Sequence, residues 1–227
     1  MALDLARIRA LCFDLDGTLN NTDDQYAHKL TGWLKPLRWL FPEQDPLPFA
    51  RQAVLFTETP AQLFFGLPDR LGFDDKLNAI GDWVYRHSAA KKNIEYSIIP
   101  RVPEMLLALQ AHYPMSVVTA RGQRVTRNFL EHYALHQHFK CIATGQTCRH
   151  TKPFPDPVLW AAAQMGVPAQ NCLMIGDTVV DIYAGKAAGA QTVGVLCGFG
   201  TEAELLRAGA DLVLPATDRL VEALQKA

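Results

Sequence analysis

Four apolar runs in this chain each stop at a polar residue, and that recurrence constrains the fold more than any single motif does. Ile8, Ala10, Leu11, Cys12 and Phe13 lead to Asp14; residues 115–118 lead to Thr119; residues 141–143 lead to Thr144; residues 172–175 lead to Gly176 and Asp177. A short, continuously apolar run suits a strand covered on both faces. Between the runs, apolar residues return at helical spacing over 102–111, 125–133, 158–165 and 182–188. This alternation predicts a parallel sheet with helices on both faces, because parallel neighbours need a crossover connection and that crossover is right-handed. The expected class is therefore α/β, a doubly wound parallel sheet. Its strand ends share one edge, where open α/β sheets bind ligands.

Asp14, Asp16, Thr119, the loop after Thr144, and Asp177 would meet at that edge although they are far apart in sequence. Side chains alternate along an extended backbone, but Gly17 lets the chain turn at once, so both acids of Asp14-Leu15-Asp16-Gly17-Thr18 can face one crevice. Singly, each residue has a plain role. Asp-Gly marks many turns, Thr119 suits a helix cap, and Lys152 reads as a surface lysine. Asp177 likewise suits an N-cap, with Asp181 on the solvent face of the same helix. Their joint placement at strand ends is what points to a site.

Residues 20–99 break the alternation and read as a mostly helical insertion, with helical patterns over 23–34 and 75–91 and with Pro42, Pro46, Pro48 and Pro60 between them. Trp33, Trp39 and Trp83 lie here and suit the core of a small helical bundle. The remaining composition excludes more than it selects. A net charge of −1 offers no electrostatic footprint for nucleic acid. No apolar stretch is long enough to span a bilayer, and the first nine residues carry charges where a signal peptide would be apolar, so a cytoplasmic protein is expected. Five cysteines form an odd set and read as core residues or free thiols. His132, His136, His138 and His150 match no zinc spacing.

The motifs together resemble the haloacid dehalogenase superfamily of phosphohydrolases, in its phosphoglycolate phosphatase-like branch. They run in the family's order: Asp14-Leu15-Asp16-Gly17-Thr18, Thr119, Lys152 within Lys152-Pro153-Phe154-Pro155-Asp156-Pro157, then Gly176-Asp177-Thr178-Val179-Val180-Asp181, with Gly198-Phe199-Gly200-Thr201-Glu202 and Gly209-Ala210-Asp211 as the usual ending. The resemblance implies a Rossmann-like core over residues 1–19 and 100–227 and an α-helical cap over 20–99. It implies a phosphatase acting on a small phosphorylated metabolite, because the cap would obstruct a phosphoprotein or a polymer.

What the resemblance implies for each residue agrees with what the reaction needs. A phosphate monoester repels a carboxylate by about 1 kcal/mol per charge pair in water and about 4 near a protein surface. Asp14, Asp16 and Asp177 would also repel one another. A hard divalent cation answers both needs, and oxygen ligands favour Mg²⁺. Asp14 and Asp177 would bind it through carboxylates and Asp16 through its backbone carbonyl, with Asp181 supporting the metal directly, through water, or by bonding Lys152. Asp14 would be the nucleophile and Asp16 the general acid and base, while Lys152 and Thr119 would neutralise and hydrogen-bond the phosphoryl oxygens. An acid at position 16 favours phosphate esters over carbon–halogen bonds. A phosphomutase acting on a sugar phosphate stays open as an alternative, and a phospho-aspartate switch module is a further one. No obligate protein partner is indicated.

Two departures from the family pattern bear on specificity. Relatives often carry an apolar residue and then an acid where this chain has Asn20-Asn21-Thr22, and an asparagine after the Ser or Thr where it has Ala120-Arg121-Gly122. Ala120 and Arg121 are candidate substrate-binding residues, Arg121 for a substrate anion or else as a surface arginine. Arg51, Arg70, Lys91, Lys92 and Tyr96 of the insertion are candidate substrate contacts.

Overall fold

The computed structural model describes residues 3–21 and 96–225, with Thr31, Leu34 and Arg38 as isolated positions. Within them, six strands form one parallel sheet: β1 (Ala10–Phe13), β2 (Met115–Val118), β3 (Cys141–Ala143), β4 (Cys172–Gly176), β5 (Gln191–Val195) and β6 (Leu212–Leu214). The order is β3-β2-β1-β4-β5-β6. The chain builds outward from β1 to β3, then returns to the other side of β1 for β4, so β1 and β4 flank the point where winding reverses. Their register pairs Phe13 with Ile175, which leaves Asp14 and Asp177 just beyond adjacent strand ends. That is where such sheets form a crevice.

Strand periodicity sorts the core into two layers. Leu11 and Phe13 of β1 join Leu106, Leu109, Phe129 and Leu130 on one face, under helices α1 (Val102–Leu109) and α2 (Gln123–His132). Ala10 and Cys12 join Val158, Ala161, Ala162, Met174 and Ala184 on the other, under α3 (Asp156–Met165) and α4 (Val179–Ala187). Small alanines there let two helices lie close to the sheet, while the first face takes the bulk. Each fully buried Leu or Phe contributes about 1.5–3 kcal/mol. Two further helices, α5 (Glu202–Arg207) and α6 (Leu220–Gln225), complete the described residues, α5 through Leu205 against Ile182 and α6 through Leu220 in the larger cluster.

The sequence patterns do not mark β5 and β6. Gln191, Thr192 and Gly194 interrupt the apolar run of β5, yet the strand is buried throughout. Its polar groups are satisfied in the fold. Gln191 Oε1 accepts from the Asp4 backbone N–H at 2.6 Å, and Asp211 Oδ2 accepts from Thr192 N at 2.8 Å. Five free cysteines are present, of which Cys12 and Cys172 are buried and Cys141 is half-buried at the sheet edge.

Among the described residues, the segments on either side of 22–95 meet in a short antiparallel pairing. Asn20 bridges Ile98, Asn21 N donates to Ser97 O at 2.6 Å, and Ile99 N donates to Leu19 O at 3.0 Å. The expected helices at 23–34 and 75–91, the three tryptophans, and Arg51, Arg70, Lys91 and Lys92 lie outside the described residues, Thr31 and Leu34 apart. Tyr96 is described, and it packs on the core: its ring lies 5.8 Å from Phe129 and 5.3 Å from His132, and its carbonyl accepts from Tyr133 Oη at 2.7 Å.

Candidate active site

Lys152 is the hub of the site. Its side chain is only 4% exposed, and its ammonium donates to Asp14 Oδ1 at 2.6 Å and to Asp181 Oδ1 at 2.5 Å. Burial by itself opposes the lysine's charge, but Asp14 and Asp181 outweigh it and hold its pKa above the ordinary value. Taken alone, this lysine reads as a surface residue; it is buried beside the strand-end carboxylate of Asp14 and the helical carboxylate of Asp181, for which it is the counter-charge.

Asp181 stands at the third position of α4 and is fully buried, not on its solvent face. Its Oδ2 accepts from the backbone N–H of Thr178 at 3.0 Å and from Thr178 Oγ1 at 2.7 Å. The N-cap is Thr178, so Asp177 is freed from capping to face the crevice. Asp181 spends one oxygen on the helix start and the other on Lys152, and so fixes the lysine.

Asp177 is held from two directions that motif spacing does not signal. Thr18 Oγ1 donates to its Oδ1 at 3.4 Å, and the backbone N–H of Phe199 donates to its Oδ2 at 2.8 Å. Both contacts need glycine beside them. Gly17 has φ +73°, and a Cβ there would lie 2.2 Å from Asp177 Oδ2; one on Gly198 would lie 2.1 Å away. The Gly-Phe-Gly segment after β5 is thus part of the site wall. Its composition was the available signal, since backbone that must touch a carboxylate leaves no room for a Cβ.

Asp14 is buried and bonded to Lys152 through one oxygen, which leaves Oδ2 the atom without a partner among the described residues. Burial, and then repulsion from Asp181, push its carboxyl up to about 7, against the pull of Lys152. In metal-free protein the folded state therefore keeps this proton to about pH 7, whereas the unfolded chain releases it near its ordinary value of 3.8. Between those values folding takes up a proton, so stability falls as pH rises through the window. At about 1.4 kcal/mol per pKa unit the loss amounts to a few kcal/mol. Urea unfolding in chelator at pH 5 and pH 8 should show the wild type losing that much relative to Asp14→Asn. Equal pH dependence of the two proteins would contradict the assignment.

Thr119 and Arg121 share the loop from β2 into α2. Thr119 is buried, and its Oγ1 accepts the backbone N–H of Arg121 at 3.1 Å. The hydroxyl proton is then available to donate outward to an anion. Ala120 is exposed between them. Arg121 faces the site and not bulk solvent: its Nε lies 2.9 Å from Asp16 Oδ2. Asn20 Nδ2 donates to the other oxygen of Asp16 at 3.0 Å. Asp16 is half-buried at the mouth, whereas Asp14 and Asp177 are inside.

Among the described residues, Asp14, Asp177 and Asp181 are the one group of acidic, histidine or cysteine side chains able to hold a metal, with ligand atoms within 4.8 Å of one another. Three buried carboxyl groups beside one ammonium form an all-oxygen donor set, which fits a hard divalent cation. No helix among the described residues is long and apolar enough to cross a membrane.

The family profile described as haloacid dehalogenase-like hydrolase matches residues 11–195. Pyrophosphatase PpaX of Anoxybacillus flavithermus is 30% identical over 189 residues, covering 83% of each chain. Phosphoglycolate phosphatase of Escherichia coli is 27% identical over 237 residues, covering 96% of this chain and 92% of its own. Among solved structures, a haloacid dehalogenase family hydrolase from Deinococcus radiodurans with bound phosphate and sodium is 25% identical, with a TM-score of 0.69 over 96% of each chain. With its sheet order, strand-end acids and buried lysine, the chain belongs to the haloacid dehalogenase-like hydrolase family. It is an enzyme of the branch whose named relatives are phosphatases.

Proposed function

We propose that this protein is a Mg²⁺-dependent phosphatase that hydrolyses a small phosphate monoester through a phosphorylated Asp14. The observation that carries the reading is the buried Asp14–Lys152–Asp181 chain beside Asp177 at the reversal of the sheet. One of the relatives named above is a phosphoglycolate phosphatase by name and another a pyrophosphatase, and the structure of a third has bound phosphate and sodium. All three support a phosphate substrate.

Asp14 and Asp177 would hold Mg²⁺ through carboxylates, with the Asp16 backbone carbonyl, and Asp181 would support it by orienting Lys152. Bound there, the cation supplies charge neutralisation for the phosphoryl oxygens. Asp14 Oδ2 attacks phosphorus, and the ester oxygen leaves. Asp16 gives that oxygen its proton, then as a carboxylate takes one from the water that hydrolyses the acyl phosphate. Lys152 and the Thr119 hydroxyl offset charge on the equatorial oxygens, with the exposed Ala120 backbone beside them. Residues 20–99 form the cap on the core of 1–19 and 100–227, entering through the Asn20–Ile98 bridge. Closure of the cap would exclude water and select the leaving group.

Phosphate release from a panel of small esters and pyrophosphate, with Mg²⁺ and with chelator, tests this. Release should fall at least about 100-fold without the cation, since its electrostatic contribution is worth several kcal/mol. Full activity in chelator would overturn the metal dependence. Isomer formation without phosphate release would replace hydrolysis with phosphotransfer.

A further inference from the structure

The two places where this chain departs from the family pattern meet on one carboxylate. Asn20 stands in the segment after the first strand and Arg121 in the loop after β2, yet they bind opposite oxygens of Asp16, at 3.0 Å and 2.9 Å. Both clamping residues are themselves anchored. Asn20 is 1% exposed, and its backbone bridges Ile98 and accepts from Gly17 N at 2.8 Å. The backbone of Arg121 donates to Thr119 Oγ1, and its carbonyl accepts from Gly145 N at 3.0 Å.

An aspartate side chain has several staggered rotamers open to it. Proton delivery needs one geometry, with the carboxyl within about 2.6–3.2 Å of the leaving oxygen. Arg121 and Asn20 each approach a different oxygen of this carboxylate, so both ends of it are held. The guanidinium fixes direction as well as distance, because its donors lie in a rigid plane.

We infer that Arg121, together with Asn20, is a positioning residue for Asp16, holding its carboxyl where the leaving oxygen departs. This rests on the phosphatase reading. It also ties the acid to Thr119, because Arg121 touches Asp16 with its side chain and Thr119 with its backbone, so acid and phosphate donor keep a fixed separation.

Positioning of a proton donor has a signature that general structural damage lacks: it matters for a poor leaving group and little for a good one. Acetate leaves without help, whereas an alkoxide needs a proton as the bond breaks. The experiment compares kcat/KM, which reports only the step in which the leaving group departs, for acetyl phosphate and for the alkyl phosphate that the wild type turns over fastest, in wild type, Arg121→Gln, Arg121→Lys and Asn20→Ala. In Arg121→Gln the alkyl ester should slow at least about tenfold more than acetyl phosphate, a fraction of the about 10²–10⁴ that a positioned acid supplies. Asn20→Ala should shift the same ratio in the same direction. Arg121→Lys keeps the charge but loses the planar donors, so its ratio should lie between wild type and Arg121→Gln, and it serves where Arg121→Gln does not fold. An equal loss of kcat/KM for both substrates would overturn the positioning role. Absence of phosphate release from every substrate by the wild type would instead overturn the phosphatase reading itself.

Discussion

Asp14→Asn should abolish turnover, lowering kcat by on the order of 10⁴-fold or more, the scale seen when a covalent nucleophile is removed. The substitution nearly preserves shape, and the amide oxygen can still accept the Lys152 hydrogen bond now made at 2.6 Å to Oδ1. What it removes is the Oδ2 lone pair that is free among the described residues, since an amide nitrogen is a poor nucleophile. Burial and the neighbouring Asp181 push the acid up to about 7, so in chelator the variant should be no less stable than wild type at neutral pH. Turnover within tenfold of wild type would take Asp14 out of the nucleophile's role.

The second large effect is on both stability and rate. Lys152→Met should destabilise the protein by about 3–5 kcal/mol above pH 8 in chelator, because removing one partner of a buried ion pair strands the others. Here Asp14 and Asp181 both lose their counter-charge, and their repulsion is no longer offset. Methionine fills much of the same volume, so a cavity is not the cause. The rate should fall by about 10²–10³, the usual result of deleting one group that stabilises transition-state charge. Urea unfolding with added Mg²⁺ separates the two, because a cation at the carboxylates should restore part of the stability but not the rate. A variant as stable as wild type and active within tenfold would contradict the hub role of Lys152.

The strands that build the site were legible because each is an apolar run with a polar stop. That pattern marks β1, β2, β3 and β4, and with them Asp14, Thr119 and Asp177 at one edge. β5 and β6 carry no such mark: Gln191 and Thr192 are made tolerable in a buried strand only by Asp4 and Asp211, which are not its sequence neighbours. Asp181 was legible as one turn after Asp177 but not as buried, since its burial depends on Thr178 taking the cap and Lys152 arriving from another loop. The Phe199 backbone and Thr18 were missed because main-chain donors and long-range hydroxyls leave no spacing to read. In the sequence Asn20 and Arg121 are separate departures from the family pattern. Only the winding of β2 beside β1 brings both to Asp16.

The most direct test of the central claim is acid quenching during turnover with Mg²⁺, followed by mass analysis of the peptide that contains Asp14. A phosphoryl increment on Asp14 that builds up within one turnover and decays as phosphate appears is the predicted result. Phosphate release at the full rate with no increment on Asp14, or with the increment on another residue, would contradict it.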